Sequence, residues 1–172
     1  MNRTKATIAI SIALSIVATT LILPILAPLI RELHLSVVQG GLMLSIGSVA
    51  MVVAAPLWGI VSDRYGRKKT IVAGFLGVFA GYAVYTLVVV GGLSGAMSVT
   101  AIFLALTASR AFVGAFLSAV PSGAQALMAD ITSPSERAGG MAIIGGATGL
   151  GLIVGPAVSG VLVAGGITWP LY

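Results

Sequence analysis

Gly59-Ile-Val-Ser-Asp63-Arg64-Tyr65-Gly66-Arg67-Lys68-Lys69 is a hydrophilic knot between two long apolar runs. It holds four of the nine basic residues of the chain and one of its four acidic ones. The flanking stretches, Gly41 to Val61 and Thr70 to Val90, are each long enough to cross a bilayer, which takes about 20 apolar residues. The knot is therefore expected to be a short loop joining two membrane helices at one face of the membrane. Gly59 is expected to let another backbone approach the end of its helix. Gly66 is suited to the positive φ of a sharp reversal.

Composition agrees with a membrane chain. Its 172 residues are 58% hydrophobic and 8% charged, with a mean hydropathy of +1.14. A soluble domain carries about 25% charged residues. The net charge of +5 does not point to nucleic acid, because the basic residues sit between apolar runs, where membrane topology places them. The chain has no cysteine and one histidine, His34, so thiolate chemistry is excluded and no metal site is expected. No phosphate-cradling Gly-x-x-x-x-Gly-Lys loop is present, and no cofactor is implied.

The predicted architecture is all-α, with five transmembrane helices and the start of a sixth. The spans are expected at 6–30, 41–62, 70–90, 99–129 and 138–164, with an incomplete sixth from about 167. The first run is too long for the core of a signal peptide, about 7–15 residues, and is taken as a retained helix. Pro24 and Pro28 are expected to kink its far end. Ser36 and Gln39 have the spacing of a capping box before the second helix, and Ser133 and Glu136 that of another before the fifth. Placing the N-terminus inside puts Arg3, Lys5, Arg64, Arg67, Lys68, Lys69 and Arg137 on the cytoplasmic side and leaves Arg31 outside. That distribution follows the positive-inside rule.

Arg110 is the one charge expected within the hydrocarbon. Its burial at a helix centre costs about 2.5–3.5 kcal/mol on insertion scales, so it is expected to face a wet cavity or a partner. At 100° per residue, Arg110, Gly114, Ser118, Ser122 and Gln125 share an arc of roughly 120°. Phe112, Phe116, Val120 and Leu127 fall opposite. Ser11, Ser15 and Thr19 form a weak hydroxyl stripe on the first helix, of the kind that bonds its own helix carbonyls. Gly151, Gly155, Pro156 and Gly160 form a small-residue run for close helix packing, with Pro156 able to bend the span. No acidic residue lies within any expected span.

Gly59-x-x-x-Asp63-Arg64-x-Gly66-Arg67-Lys68 resembles the signature loop between the second and third helices of the major facilitator superfamily. Pro24-Ile-Leu-Ala-Pro28 resembles the paired-proline end of the first helix in its drug exporters. Leu106-x-x-x-Arg110-x-x-x-Gly114 resembles its fourth-helix motif, whose arginine faces the central cavity. Val113 and Phe116 depart from that motif, so no proton-relay role is carried over. Gly151-x-x-x-Gly155-Pro156-x-x-Ser159-Gly160 resembles the fifth-helix motif of its antiporters, with Ala142 and Ser159 in place of glycines.

The resemblance implies the amino-terminal bundle of a transporter in the cytoplasmic membrane. Such a protein moves a small solute, drug-like or sugar-like, by alternating access. Arg67 and Asp130 are expected to meet at the cytoplasmic surface. The signature loop is expected to act as a latch, with Asp63 turned toward a helix of a further half. Expected partners are the lipid bilayer, an unspecified small-molecule substrate, and a missing C-terminal half or a second copy. The fourth-helix polar face and the Gly151/Gly155 face are expected to lack neighbours. The 172-residue chain alone is expected not to transport. The alternative is a small membrane protein with a structural or assembly role. An enzyme is not expected, since the only ionisable group within the spans is an arginine.

Overall fold

The computed structural model describes residues 3–163. They form α1 (Arg3–Thr20), α2 (Leu23–Glu32), α3 (Val37–Tyr65), α4 (Arg67–Leu93), α5 (Val99–Leu117), α6 (Ala119–Asp130) and α7 (Arg137–Val163). These make five spans, because α1 with α2 and α5 with α6 are each one broken crossing. The fold is thus an all-α bundle of five helices long and apolar enough to cross a membrane. The expected start of a sixth helix, from about 167, lies outside the described residues.

Both breaks have the same cause. Pro24 and Pro121 lack an N–H, and the ring of each crowds the preceding turn. The chain departs from helix at Leu21 and Ile22, ahead of Pro24, and at Ser118, ahead of Pro121. The backbone bonds from Ile22 to Ala18 and from Ala119 to Ala115 are lost there. Pro24 was the expected source of a kink; the break at Ser118 is new.

The helix ends follow local chemistry. Ser36 accepts from the Gln39 amide at 3.2 Å and the Gln39 side chain accepts from the Ser36 amide at 2.8 Å, so this capping box forms. The one expected at Ser133 does not. Residues 134–136 turn instead, the Glu136 amide bonds the Ser133 carbonyl at 3.0 Å, and α7 begins at Arg137. His34 takes a left-handed φ of 56° after α2, where the amides of His34 and Leu35 bond the carbonyls of Arg31 and Ile30. Gly95 closes α4 in the same way, at φ 74°. At the far ends of the first and third spans and the start of the second, the helices run past the expected bounds because these caps, rather than the limits of the apolar runs, stop them.

The signature stretch is not a loop. Asp63, Arg64 and Tyr65 are the last turn of α3, Arg67 opens α4, and Gly66 alone lies between them, at φ 99°. Gly59 does not admit another backbone: a Cβ built there would meet nothing within 4 Å.

Two apolar clusters fill the bundle. One joins α2 to Met43, Tyr85, Val89, Ile102 and Leu106. The other joins Ile8 and Ile12 to Ile71, Val120, Ala124, Met128, Ile144 and Ala147. Along the first and fourth spans, the buried polar residues Ser15, Thr20, Arg110 and Ser118 fall between these clusters. The bundle therefore has a polar middle layer between two apolar ends.

Candidate functional site

The charged end is built on Arg67. Its Nε donates to Asp130 Oδ2 at 2.9 Å. Its Nη1 donates to the Asp63 carboxylate, and to Ser62 Oγ at 3.3 Å. Gly66 makes this possible, because a one-residue turn puts Asp63 and Arg67 four residues apart on facing helix ends. Gly123 brings the fourth span in: its Cβ position lies 3.1 Å from the Arg67 carbonyl oxygen. One guanidinium thus ties the second, third and fourth spans together. Its side chain is 25% exposed, so water screens these pairs, and they act as a positional clamp more than as a source of stability. Arg64 and Lys68 stay exposed, with Arg64 over the ring of Tyr65 at 5.6 Å. Lys5 Nζ lies 3.8 Å from Glu136, which places the start of the first span beside the start of the fifth at this same end.

Arg110 sits in the polar middle layer and is only 9% exposed. Counting 1.5 Å per residue from Val99, it is roughly 16 Å into its span. Its Nη1 donates to the Tyr82 hydroxyl at 3.4 Å, and that hydroxyl donates to the Ala18 carbonyl at 2.9 Å. Arg110 Nε is buried and has no partner among the described residues. A pocket of about 50 Å³ opens beside it, lined by Thr19, Gly47, Ser48, Met51, Tyr82, Arg110, Val113, Gly114 and Leu117.

The residues of the expected polar arc have different surroundings. Arg110 and Gly114 line the pocket. Ser118 is buried and donates to the Ala115 carbonyl at 2.9 Å. Ser122 and Gln125 are not part of the pocket, and Gln125 is exposed. On the opposite arc, Val120 is fully buried in an apolar cluster, and a Cβ at Gly74 would lie 2.9 Å from it. The helical phase does not run through the break at Ser118. Phe112, on the same arc, is 44% exposed. Phe116 is half-buried and packs against Trp58 at 5.3 Å between ring centroids.

Ser11, Ser15 and Thr19 all bond carbonyls of their own helix. The Gly151/Gly155 face is not without a neighbour: the first span fills it. A Cβ at Gly151 would lie 2.7 Å from Ile16 Cβ, and Gly155 is capped by the Thr20 hydroxyl, which also reaches the Gly151 carbonyl at 3.3 Å. Pro156 is half-buried in α7. Gly160 has nothing within 4 Å of its Cβ position among the described residues, whereas Ser159 beside it is fully buried.

Three residues central to this geometry escaped the sequence reading: Trp58, Tyr82 and Thr20. Trp58 Nε1 donates to the Ala115 carbonyl at 2.6 Å, the group freed by the break at Ser118. Tyr82 does the same for Ala18 at the other break. The usable signal was the pair of intramembrane prolines. Each interrupts its helix and leaves carbonyls of the preceding turns that, with no water in the hydrocarbon, need another donor.

Comparison with known proteins adds a family. The family described as the Major Facilitator Superfamily matches residues 8–172. A major facilitator superfamily domain-containing protein 10 from Bos taurus is 34% identical over 134 residues, 78% of this chain and 26% of that protein. The class C tetracycline resistance protein of Escherichia coli is 29% identical over 155 residues, 88% of this chain and 36% of its own. The class G protein of Vibrio anguillarum is 32% identical over 170 residues, 96% of this chain and 39% of its own. The chain thus covers 26% to 39% of the length of these relatives.

Proposed function

Because this chain belongs to the Major Facilitator Superfamily, we propose that it is the amino-terminal bundle of an alternating-access exporter. Family membership points to a transporter rather than an enzyme. Relatives named for tetracycline resistance, and one named for multidrug resistance, favour drug-like over sugar-like substrates. The observation that carries a transport reading is the pocket at Arg110. A purely structural bundle has no need of a desolvated cation beside a cavity in its middle layer. The far wall of the path comes from a second bundle, either a C-terminal half or another copy. The Arg67 clamp, with Gly66, Arg64 and Lys68 around it, latches the cytoplasmic end. Asp63 there also faces the second bundle, and its contact breaks and reforms as the bundles rock. The protein lies in the cytoplasmic membrane with its N-terminus inside.

Reconstitution tests this reading. The 172-residue chain alone in liposomes is expected to show no saturable flux of a fluorescent drug. The same chain fused to the C-terminal bundle of a tetracycline resistance relative is expected to show saturable flux that Arg110→Ala abolishes. No flux in either sample would overturn the transport reading. Saturable, Arg110-dependent flux from the chain alone would replace the two-bundle reading with a self-assembled one.

A further inference from the structure

We propose that the Arg110 pocket receives the carboxylate of an amphiphilic organic acid. This rests on the transport reading above and names a substrate class for it. The first ground is charge. The chain has four acidic residues, Glu32, Asp63, Asp130 and Glu136, and all four are exposed at span ends. None of them can neutralise a guanidinium buried between the two apolar clusters, so its counter-ion must come from elsewhere.

The second ground is hydrogen bonding. A guanidinium has five N–H donors. The hydrogen bond from Nη1 to the Tyr82 hydroxyl is the one Arg110 makes among the described residues, and its Nε is buried and unpartnered. Tyr82 has its own proton committed to Ala18, so it acts as an acceptor that orients the guanidinium. The hydroxyls of Thr19 and Ser48 on the pocket wall donate to Ser15 and Leu44. The strong donors left for a ligand are therefore those of the guanidinium fork, whose planar geometry matches a carboxylate in bidentate fashion.

The third ground is shape and lining. The pocket volume of about 50 Å³ compares with ~10–15 Å³ for one water, so it holds a group of a few heavy atoms. Met51, Val113 and Leu117 supply an apolar wall, and Ser48 at the rim is exposed. One positive charge with apolar surroundings favours a monoanion on an apolar body over a multiply charged or fully hydrophilic anion.

The test uses the full 172-residue chain in nanodiscs of neutral phosphatidylcholine, with benzoate as probe and benzamide as its uncharged counterpart. Thermal unfolding is followed by tryptophan fluorescence at matched ionic strength. Benzoate is expected to raise the midpoint saturably, and benzamide is not. Arg110→Gln should remove the benzoate effect. Arg110→Lys should weaken apparent affinity by about tenfold or more, because an ammonium cannot form the planar fork. Tyr82→Phe keeps the charge and should weaken binding less than Arg110→Lys; these two variants carry the test if Arg110→Gln fails to fold. Lys69→Gln and Arg137→Gln should leave the benzoate effect intact. A benzoate effect that is absent, survives Arg110→Gln, or is matched by benzamide would overturn the proposal. Benzoate binding without flux in the fused protein would sink the transport reading and leave the binding site standing. Flux of a neutral dye without benzoate binding would do the reverse.

Discussion

Ala18 and Ala115 each lose a helical partner at a proline-induced break, and an aromatic side chain from another span takes each carbonyl. Leaving such a carbonyl bare costs about 1–3 kcal/mol. Trp58→Phe removes the donor to Ala115 and keeps most of the ring contact with Phe116. Because Ser118 Oγ still bonds that carbonyl, the expected loss is at the low end, about 1 kcal/mol. Tyr85 is the opposite case. Its hydroxyl is fully buried with no partner among the described residues, so Tyr85→Phe is expected to leave stability unchanged or raised by up to about 1 kcal/mol. Reversible denaturant unfolding in mixed micelles checks both. A destabilising Tyr85→Phe would mean that the hydroxyl has found a partner after all. Neither role can be seen in the residue itself. An intramembrane tyrosine or tryptophan reads as apolar bulk until the carbonyl opposite it is known.

Glycines decide how closely the spans approach, and their effect differs from one helix to the next. On α4, Cβ atoms at Gly74, Gly77 and Gly81 would strike Ala119, Phe116 and Val113, so this face is a seam for the fourth span. At the crossing of the second and fourth spans, a Cβ at Gly114 would run into the carbonyl group of Gly47, which is backbone and cannot swing aside. Gly145 and Gly149 on α7 meet nothing within 4 Å. Gly114→Ala is therefore expected to destabilise by roughly 1–3 kcal/mol through overpacking. Gly145→Ala should be neutral or stabilise by up to about 1 kcal/mol, because alanine is the better helix former. Thermal unfolding of the two variants side by side separates them; equal effects would show that the crossing at Gly47 is looser than described. The run at Gly151, Gly155 and Gly160 announces small-residue packing, but among the described residues only the first two of its glycines meet a neighbour.

Across the whole molecule, two ion pairs, Lys5 with Glu136 and Arg67 with Asp130, place the loops after the second and fourth spans and the start of the first at one end. The basic residues concentrate there, so the positive-inside rule predicts that this end is cytoplasmic. Single cysteines test this. Lys68→Cys should react with an impermeant maleimide only from the cytoplasmic side, and Ser94→Cys, in the turn after α4, only from outside. Labelling of position 68 in intact cells would invert the topology. The polar middle layer has a consequence at this scale too. Apolar clusters hold the two ends, so the pocket lies where the bundle is least tightly apolar.

The sequence by itself determined the five crossings, their order, the cap at Ser36, the reversal at Gly66 and the burial of a lone cation at Arg110. Those features are local: hydropathy over about 20 residues and the stereochemistry of glycine, proline and capping side chains act within one segment. Tertiary structure alone decided which faces touch. In a membrane helix lipid-facing and buried sides are both apolar, so no amphipathic stripe marks the packed one. Trp58 against Ala115, Tyr82 between Ala18 and Arg110, Thr20 in the Gly155 notch and the idle Gly160 all depend on where a second helix arrives. The helical phase projected from Arg110 to Gln125 is interrupted for a related reason: the span breaks at Ser118, ahead of Pro121, and packing sets the direction in which the chain resumes.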